Sequence, residues 1–332
     1  HTTMFVVLLL SLCSCASMNR DVVGGESERG AWVRTPDERF ENLPGYDFEP
    51  HYFEFDGLRV HYLDEGPKDG EVVLLLHGEP DWCYLYRKMI PPIAAAGHRV
   101  IVPDMIGFGR SDKLVRRRDY SHKLQVDMVK ALLEKLELNG ITLFCQDWGG
   151  LVGLRVAAEE EDRFARVIAA NTGLTGSPPS GGYGIAGVPA KNAFGFMAWL
   201  SASQLTPVFN AGFFVQLGTV NDLPPEVVAA YNAPFPDHRY KAAARVYPTL
   251  VGSEIKENNK AWEVWANWEK PFLTAFSDGD FILGEADGIW REVVPGAQGQ
   301  PHVKIKGAGH FLQEDKGEEL GQLVVEFIAS NP

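Results

Sequence analysis

Val72-Val73-Leu74-Leu75-Leu76 is wholly apolar and lies between Asp69-Gly70 and His77-Gly78. A strand with one face in water alternates polar and apolar side chains, so an unbroken run must be covered on both faces, as in a mainly parallel sheet. Similar runs recur at Val100-Ile101-Val102, Ile141-Thr142-Leu143-Phe144 and Val167-Ile168, with helical stretches predicted over Tyr84–Ala96 and Ser121–Leu138. In the second of these, Leu124, Met128, Ala131, Leu132 and Leu136 fall near helical spacing, and Asn139-Gly140 supplies a stop. Strands alternating with helices specify an α/β fold built on a doubly wound sheet. Ahead of it, Tyr52–Phe55 and Leu58–Leu63 flank Asp56-Gly57 and read as a hairpin.

The rhythm breaks after Asn171. From Gly173 to about Glu254 the chain is rich in Gly, Pro, Phe and Ala, with helical patterns and no convincing strand, which predicts an inserted helical lid. The sheet resumes at Pro271–Phe276 and His302–Ile305, and a closing helix is expected over Glu318–Ala329. At the other end, Phe5–Leu12 is too short to span a bilayer. It matches the apolar region of a secretory signal, and Leu12-Cys13-Ser14-Cys15 resembles a bacterial lipobox with Cys15 as the lipid-carrying residue. This predicts an exported protein, periplasmic or membrane-anchored through its N-terminus, with a cytoplasmic form as the alternative. Asn19–Ala31 reads as a flexible linker. The expected division is signal and linker over 1–31, core over 32–173 and 256–332, and cap over 174–255.

A net charge of -13 argues against a nucleic-acid partner, which would need clustered Lys and Arg. Four Cys in 332 residues cannot form a disulfide scaffold; Cys83 and Cys145 read as buried thiols, with a disulfide between them the minor alternative. No Cys/His cluster has metal-ligand spacing, so neither metal nor cofactor is called for.

The densest chemical signal is Phe144-Cys145-Gln146-Asp147-Trp148-Gly149-Gly150, between a buried strand and a helix running to about Glu160. Small residues at Cys145, Gly149 and Gly150 around Asp147 fit a nucleophile elbow, a strand-to-helix turn too sharp for bulk beside the residue it pushes outward. The bland reading is an Asp that merely caps the helix. Two further segments weigh against it. His77-Gly78-Glu79-Pro80 follows a buried strand, where backbone N–H groups of Glu79 and of Trp148 can form an oxyanion hole. Asp280 and His310 each follow a later strand, so nucleophile, acid and histidine occur in the order Asp147, Asp280, His310. Asp278 in the same turn is the alternative acid, and becomes a turn residue only by the resemblance that follows.

These segments resemble a haloalkane dehalogenase of the subfamily in which two Trp hold the halide. The resemblance rests on Arg34–Phe40, His77–Trp82 running into Tyr84–Pro91, Asp104 through Gly107-Phe108-Gly109 to Lys113, Gln146–Gly150 and Gly309–Glu314. It extends from about Val33 to the C-terminus and is weakest in the lid. It implies an α/β-hydrolase fold, a mostly parallel eight-stranded sheet with a helical cap, and a small halogenated aliphatic substrate that yields alcohol, halide and a proton.

The chemistry points the same way. A carboxylate nucleophile would form an anhydride in acyl transfer, but it can displace a leaving group from sp3 carbon and become an ester. Neutral His310, oriented by Asp280, can then activate water. Halide needs donors in a dry pocket, and indole N–H supplies one. Trp148 is the first candidate. An ionised Glu79 side chain could only accept, so the second donor should come from the lid, where Trp199 fills the place the resemblance implies. The alternative is an epoxide hydrolase using lid tyrosines, among Tyr183, Tyr231, Tyr240 and Tyr247, to protonate a ring oxygen. A non-catalytic receptor is disfavoured because all three catalytic positions are filled. Arg116-Arg117-Arg118 reads as a solvated face, and Trp262, Trp265 and Trp268 read as helix packing.

Overall fold

The structure, a computed structural model, describes residues 22–179 and 192–332; Phe5–Leu12, the lipidation candidate Cys15 and Tyr183 lie outside them. Its strands are β1 (Gly24–Ser27), β2 (Gly30–Val33), β3 (His51–Phe55), β4 (Leu58–Glu65), β5 (Val72–Leu76), β6 (Arg99–Pro103), β7 (Lys113–Leu114), β8 (Ile141–Gln146), β9 (Phe164–Ala170), β10 (Phe272–Ser277) and β11 (Val303–Ile305). Its helices are α1 (Ile90–Ala95), α2 (His122–Lys135), α3 (Trp148–Glu159), α4 (Ala193–Leu205), α5 (Ala211–Leu217), α6 (Pro225–Tyr231), α7 (Ala242–Leu250), α8 (Ile255–Trp265), α9 (Asp287–Val293) and α10 (Leu312–Ser330).

The main sheet has eight strands in the order β11-β10-β9-β8-β5-β6-β4-β3. Pairing is parallel from β11 to β6 and antiparallel at β4 and β3. All residues of β5, β8 and β10 are buried, as their apolar runs require. Asp56 (φ 52°) and Gly57 (φ 77°) form the turn between β3 and β4. On α2, Ser121 caps the first turn by accepting from Leu124 N. The cap helices α4 to α7 follow β9, and α8 returns the chain to the core, where Asn258 accepts from Arg155 of α3 at 3.0 Å. Trp262, Trp265, Trp268, Trp290 and Phe272 stack into one buried aromatic cluster.

Two expectations are corrected. The described part of the expected linker is not loose chain: β1 and β2 form a hairpin, and β2 pairs with β7 in a second, antiparallel sheet. Gly30 takes the positive φ of the turn, the Ser27 hydroxyl accepts from Arg29 N, and the Arg29 guanidinium reaches Asp56 at 2.7 Å. Tyr84–Ala96 is not one helix: Cys83–Tyr86 is a 3-10 turn, and α1 starts at Ile90 because Pro91 and Pro92 are tolerated only in a first turn. The closing helix expected over Glu318–Ala329 is present; a short helical segment from Leu312 precedes it, separated by a kink at Lys316 (φ -140°, ψ 33°). Cys83 and Cys145 are both free and buried.

Candidate active site

Asp147 stands where β8 turns into α3, with φ 51° and ψ -126°. A non-glycine residue holds such a backbone only when its surroundings impose it. They do: Asp147 N donates to Asn171 O at 3.1 Å, and Thr172 Oγ1 donates to Asp147 O at 2.7 Å. The crowding inferred from the small residues is real. A Cβ on Gly149 would stand 1.9 Å from Leu76 O, and one on Gly150 1.8 Å from Thr172 Oγ1. The turn presents the carboxylate of Asp147 to Glu79, whose backbone N–H donates to Oδ1 at 2.8 Å.

The opposite oxygen faces His310: Asp147 Oδ2 lies 3.4 Å from Nε2. The other ring nitrogen, Nδ1, donates to Asp280 Oδ2 at 2.8 Å. Asp280 Oδ1 accepts from the backbone of Ile282 and Leu283 at 2.8 and 3.1 Å, so the acid is fixed by its own loop. Burial opposes the charge on His310, but the carboxylates of Asp280 and Asp147 outweigh it and raise the imidazole well above its ordinary range. Burial likewise pushes Asp280 up, but His310 and those two backbone donors hold it below the usual carboxylate value. Asp278 instead accepts from Gly307 N at 2.9 Å, as a turn residue should.

Two positioning residues escaped the sequence reading. Asn171, just beyond β9, donates through Nδ2 to Ser277 Oγ, Gly309 O and His310 O at 2.8, 3.0 and 3.1 Å, and accepts from Ser277 N at 2.8 Å. It ties the loops that carry Asp147, Asp280 and His310 together at the end of the sheet. Gln146 places its amide nitrogen 3.1 Å from His310 O and 3.2 Å from Nε2. Their only sequence signal is a polar residue at the end of an apolar strand. The fold also gathers His61, Cys83 and Asp104, which spacing had not connected. Asp104 accepts there from Cys83 N, Arg110 N and His61 Nδ1 at 2.8, 2.8 and 2.7 Å, a buried hydrogen-bonded hub.

Asp147, His310 and Glu79 line a cavity of about 270 Å³ between core and cap. Its other walls are mostly apolar and aromatic, including Trp148, Phe196, Trp199, Phe214, Phe281 and Phe311. Trp148 packs edge-on against Tyr247 with ring centres 4.6 Å apart, and Trp199 against Phe214 at 4.9 Å. A desolvated carboxylate in a dry pocket of this size suits displacement on a small apolar molecule.

The family model for the alpha/beta hydrolase fold matches residues 71–317. A haloalkane dehalogenase of Psychrobacter cryohalolentis is 52% identical over 310 residues, covering 90% of this chain and 99% of the relative. The chain belongs to the haloalkane dehalogenases. A Mycobacterium marinum haloalkane dehalogenase is 48% identical over 305 residues, covering 89% of the chain and 99% of the relative. Among solved structures, the tetrameric haloalkane dehalogenase DpaA from Paraglaciecola agarilytica NO2 superposes with a TM-score of 0.77 at 35% identity, over 88% of this chain and 97% of that one.

As a haloalkane dehalogenase the protein hydrolyses carbon–halogen bonds. The epoxide hydrolase alternative is not favoured: Tyr231 donates to Glu314, the Tyr247 hydroxyl meets the Gln125 amide, Tyr240 is buried, and none of the three lines the cavity. Burial first, and then the carboxylates of Asp147 and Asp81, push the Glu79 carboxyl well above its ordinary range, a shift against the ionised form assumed from the sequence.

Proposed function

We propose that this dehalogenase works through Asp147 as nucleophile, Trp148 and Trp199 as halide donors, and His310 with Asp280 as the base that frees the product. Asp147 displaces halide from an sp3 carbon, forming a C–O bond as the carbon–halogen bond breaks. Both indoles line the cavity, where their N–H groups can meet the departing halide. Water then loses a proton to His310 and attacks Cγ of the ester. Backbone N–H groups of Glu79 and Trp148 take the resulting oxyanion, each worth on the order of 10²–10³ in rate. Collapse breaks the bond to the alkyl oxygen, which leaves as alcohol with the proton from His310. The observation that carries this reading is the Asp147 carboxylate held between Glu79 N–H at 2.8 Å and His310 Nε2 at 3.4 Å.

The test is His310→Phe with a brominated alkane. One equivalent of bromide should appear in a burst, and intact mass should show the alkyl group on Asp147. Continued turnover, or no adduct with any haloalkane tried, would overturn the assignment. The export reading of Phe5–Cys15 belongs to the same proposal, supported by the apolar run that ends in a lipobox-like sequence. Mass spectrometry of the native N-terminus should find an acylated Cys15, and an unprocessed N-terminus would rule lipidation out.

A further inference from the structure

Glu79 serves the reading above only through its backbone, yet its side chain is an anomaly. The residue is 3% exposed, lines the cavity beside Asp147 and His310, and neither carboxyl oxygen has a hydrogen-bond partner among the described residues. No cation answers it; the charged neighbours that act on it are Asp147, Asp81 and His310, with the two carboxylates raising its proton affinity and the imidazolium opposing them. Such surroundings favour the protonated form, and a neutral carboxyl has one O–H to donate and an oxygen that accepts. Leaving both unused in an apolar site is unfavourable. Other buried polar atoms around His310 are in the same condition: Gln146 Oε1, whose amide nitrogen touches the imidazole, and Asp81 Oδ2, which shares the field of Asp147 and His310. A buried water takes two to four such partners.

We propose that the Glu79 side chain is a positioning group for the second chemical step, holding the attacking water between its carboxyl and His310 Nε2, against Cγ of the Asp147 ester. The inference rests on the assignment of Asp147 as nucleophile. The O–H of Glu79 donates to the water oxygen or its carbonyl oxygen accepts one water proton, while the other water proton goes to His310. The Glu79 proton itself is not transferred. The carboxyl therefore orients water without changing charge, and an amide of the same shape can take its place.

Glu79→Gln and Glu79→Leu, each compared with wild type, separate this from a packing role. Both leave the backbone N–H in place, so the readout is the rate of ester hydrolysis relative to the halide burst within each variant. Glu79→Leu should slow ester hydrolysis by on the order of 10²-fold, so that the alkylated enzyme accumulates during turnover and is seen by intact mass. Glu79→Gln should restore hydrolysis to within about tenfold of wild type. Equal loss of burst and hydrolysis in both variants, or hydrolysis in Glu79→Leu at the wild-type rate, would overturn the positioning role. An unfolded Glu79→Leu leaves the Gln arm decisive: hydrolysis slowed 10²-fold in Glu79→Gln would also overturn it. Absence of any alkyl adduct in the His310→Phe enzyme would instead break the nucleophile assignment beneath it.

Discussion

Gly78 sits so close to Asp147 that an added Cβ would stand 2.5 Å from its Cβ and Oδ1. Gly78→Ala should therefore push the carboxylate off its line of attack and cut the halide burst by on the order of 10²-fold in a protein that still folds, as stopped-flow halide release would show. The charge on Asp147 also governs its partner. It is one of two carboxylates that raise His310, and alkylation removes it, so the imidazole gives up its proton more readily once the ester has formed. Asp147→Asn mimics that neutral state. The His310 titration midpoint, followed by NMR, should drop in this variant relative to wild type; an unchanged midpoint would mean that Asp280 alone holds the proton. Removing one indole N–H by Trp199→Phe should weaken bromide product inhibition roughly tenfold or more, the worth of one hydrogen bond to an ion.

Between α2 and α3 a second histidine has a structural task. His122 shares its Nε2 with Leu151 O at 2.9 Å and stacks edge-on against Trp148, which fixes the helix that carries the nucleophile loop. Burial lowers its pKa from 6.5 to about 4. The folded protein thus keeps His122 neutral where the unfolded chain already binds a proton, so its stabilising contribution is complete above pH 6.5 and is lost as pH falls toward 4. The loss amounts to on the order of 3 kcal/mol. Denaturant unfolding of wild type and His122→Gln across this window should show the wild type losing more stability by about that amount. His310, raised rather than lowered, acts in the opposite sense: its contribution is present below 6.5 and fades as pH rises through its folded value.

A buried ion pair in the core reaches the cap through a hydrogen bond. Glu314 of α10 receives Arg87, which follows the Cys83–Tyr86 turn, through Nη1 and through Nη2 at 2.9 Å, and Tyr231 of the cap helix α6 donates to the same carboxylate. Burial raises Glu314, but Arg87 outweighs it and keeps the carboxyl below its usual range. Glu314→Leu would leave Arg87 buried without its counter-ion and should cost about 3–5 kcal/mol in denaturant unfolding. It should also speed hydrogen exchange in α6, because Tyr231 loses its acceptor. Arg87→Met combined with Glu314→Leu should recover much of that stability, since no lone charge remains.

What the sequence determined by itself is local and periodic. Unbroken apolar runs at β5 and β8 could be stable only inside a covered sheet, and the small residues around Asp147 could serve only a turn too tight for side chains. Strand-end positions and chain order pointed to His310 and to the turn holding Asp278 and Asp280, and the family resemblance chose Asp280 within it. The tertiary structure decided whatever depends on a neighbour distant in sequence. Gly24–Val33 resembles a linker until Lys113 and Leu114 offer its backbone a partner to pair with. Asn171 becomes a hub only when β8, β9 and β10 end side by side. Glu79 reads as an ionised acceptor until folding buries it beside Asp147 and Asp81, which raise its proton affinity against the opposing pull of His310; that shift is a property of the enclosure, because the cost of burying charge depends on what lies within a few ångströms in space.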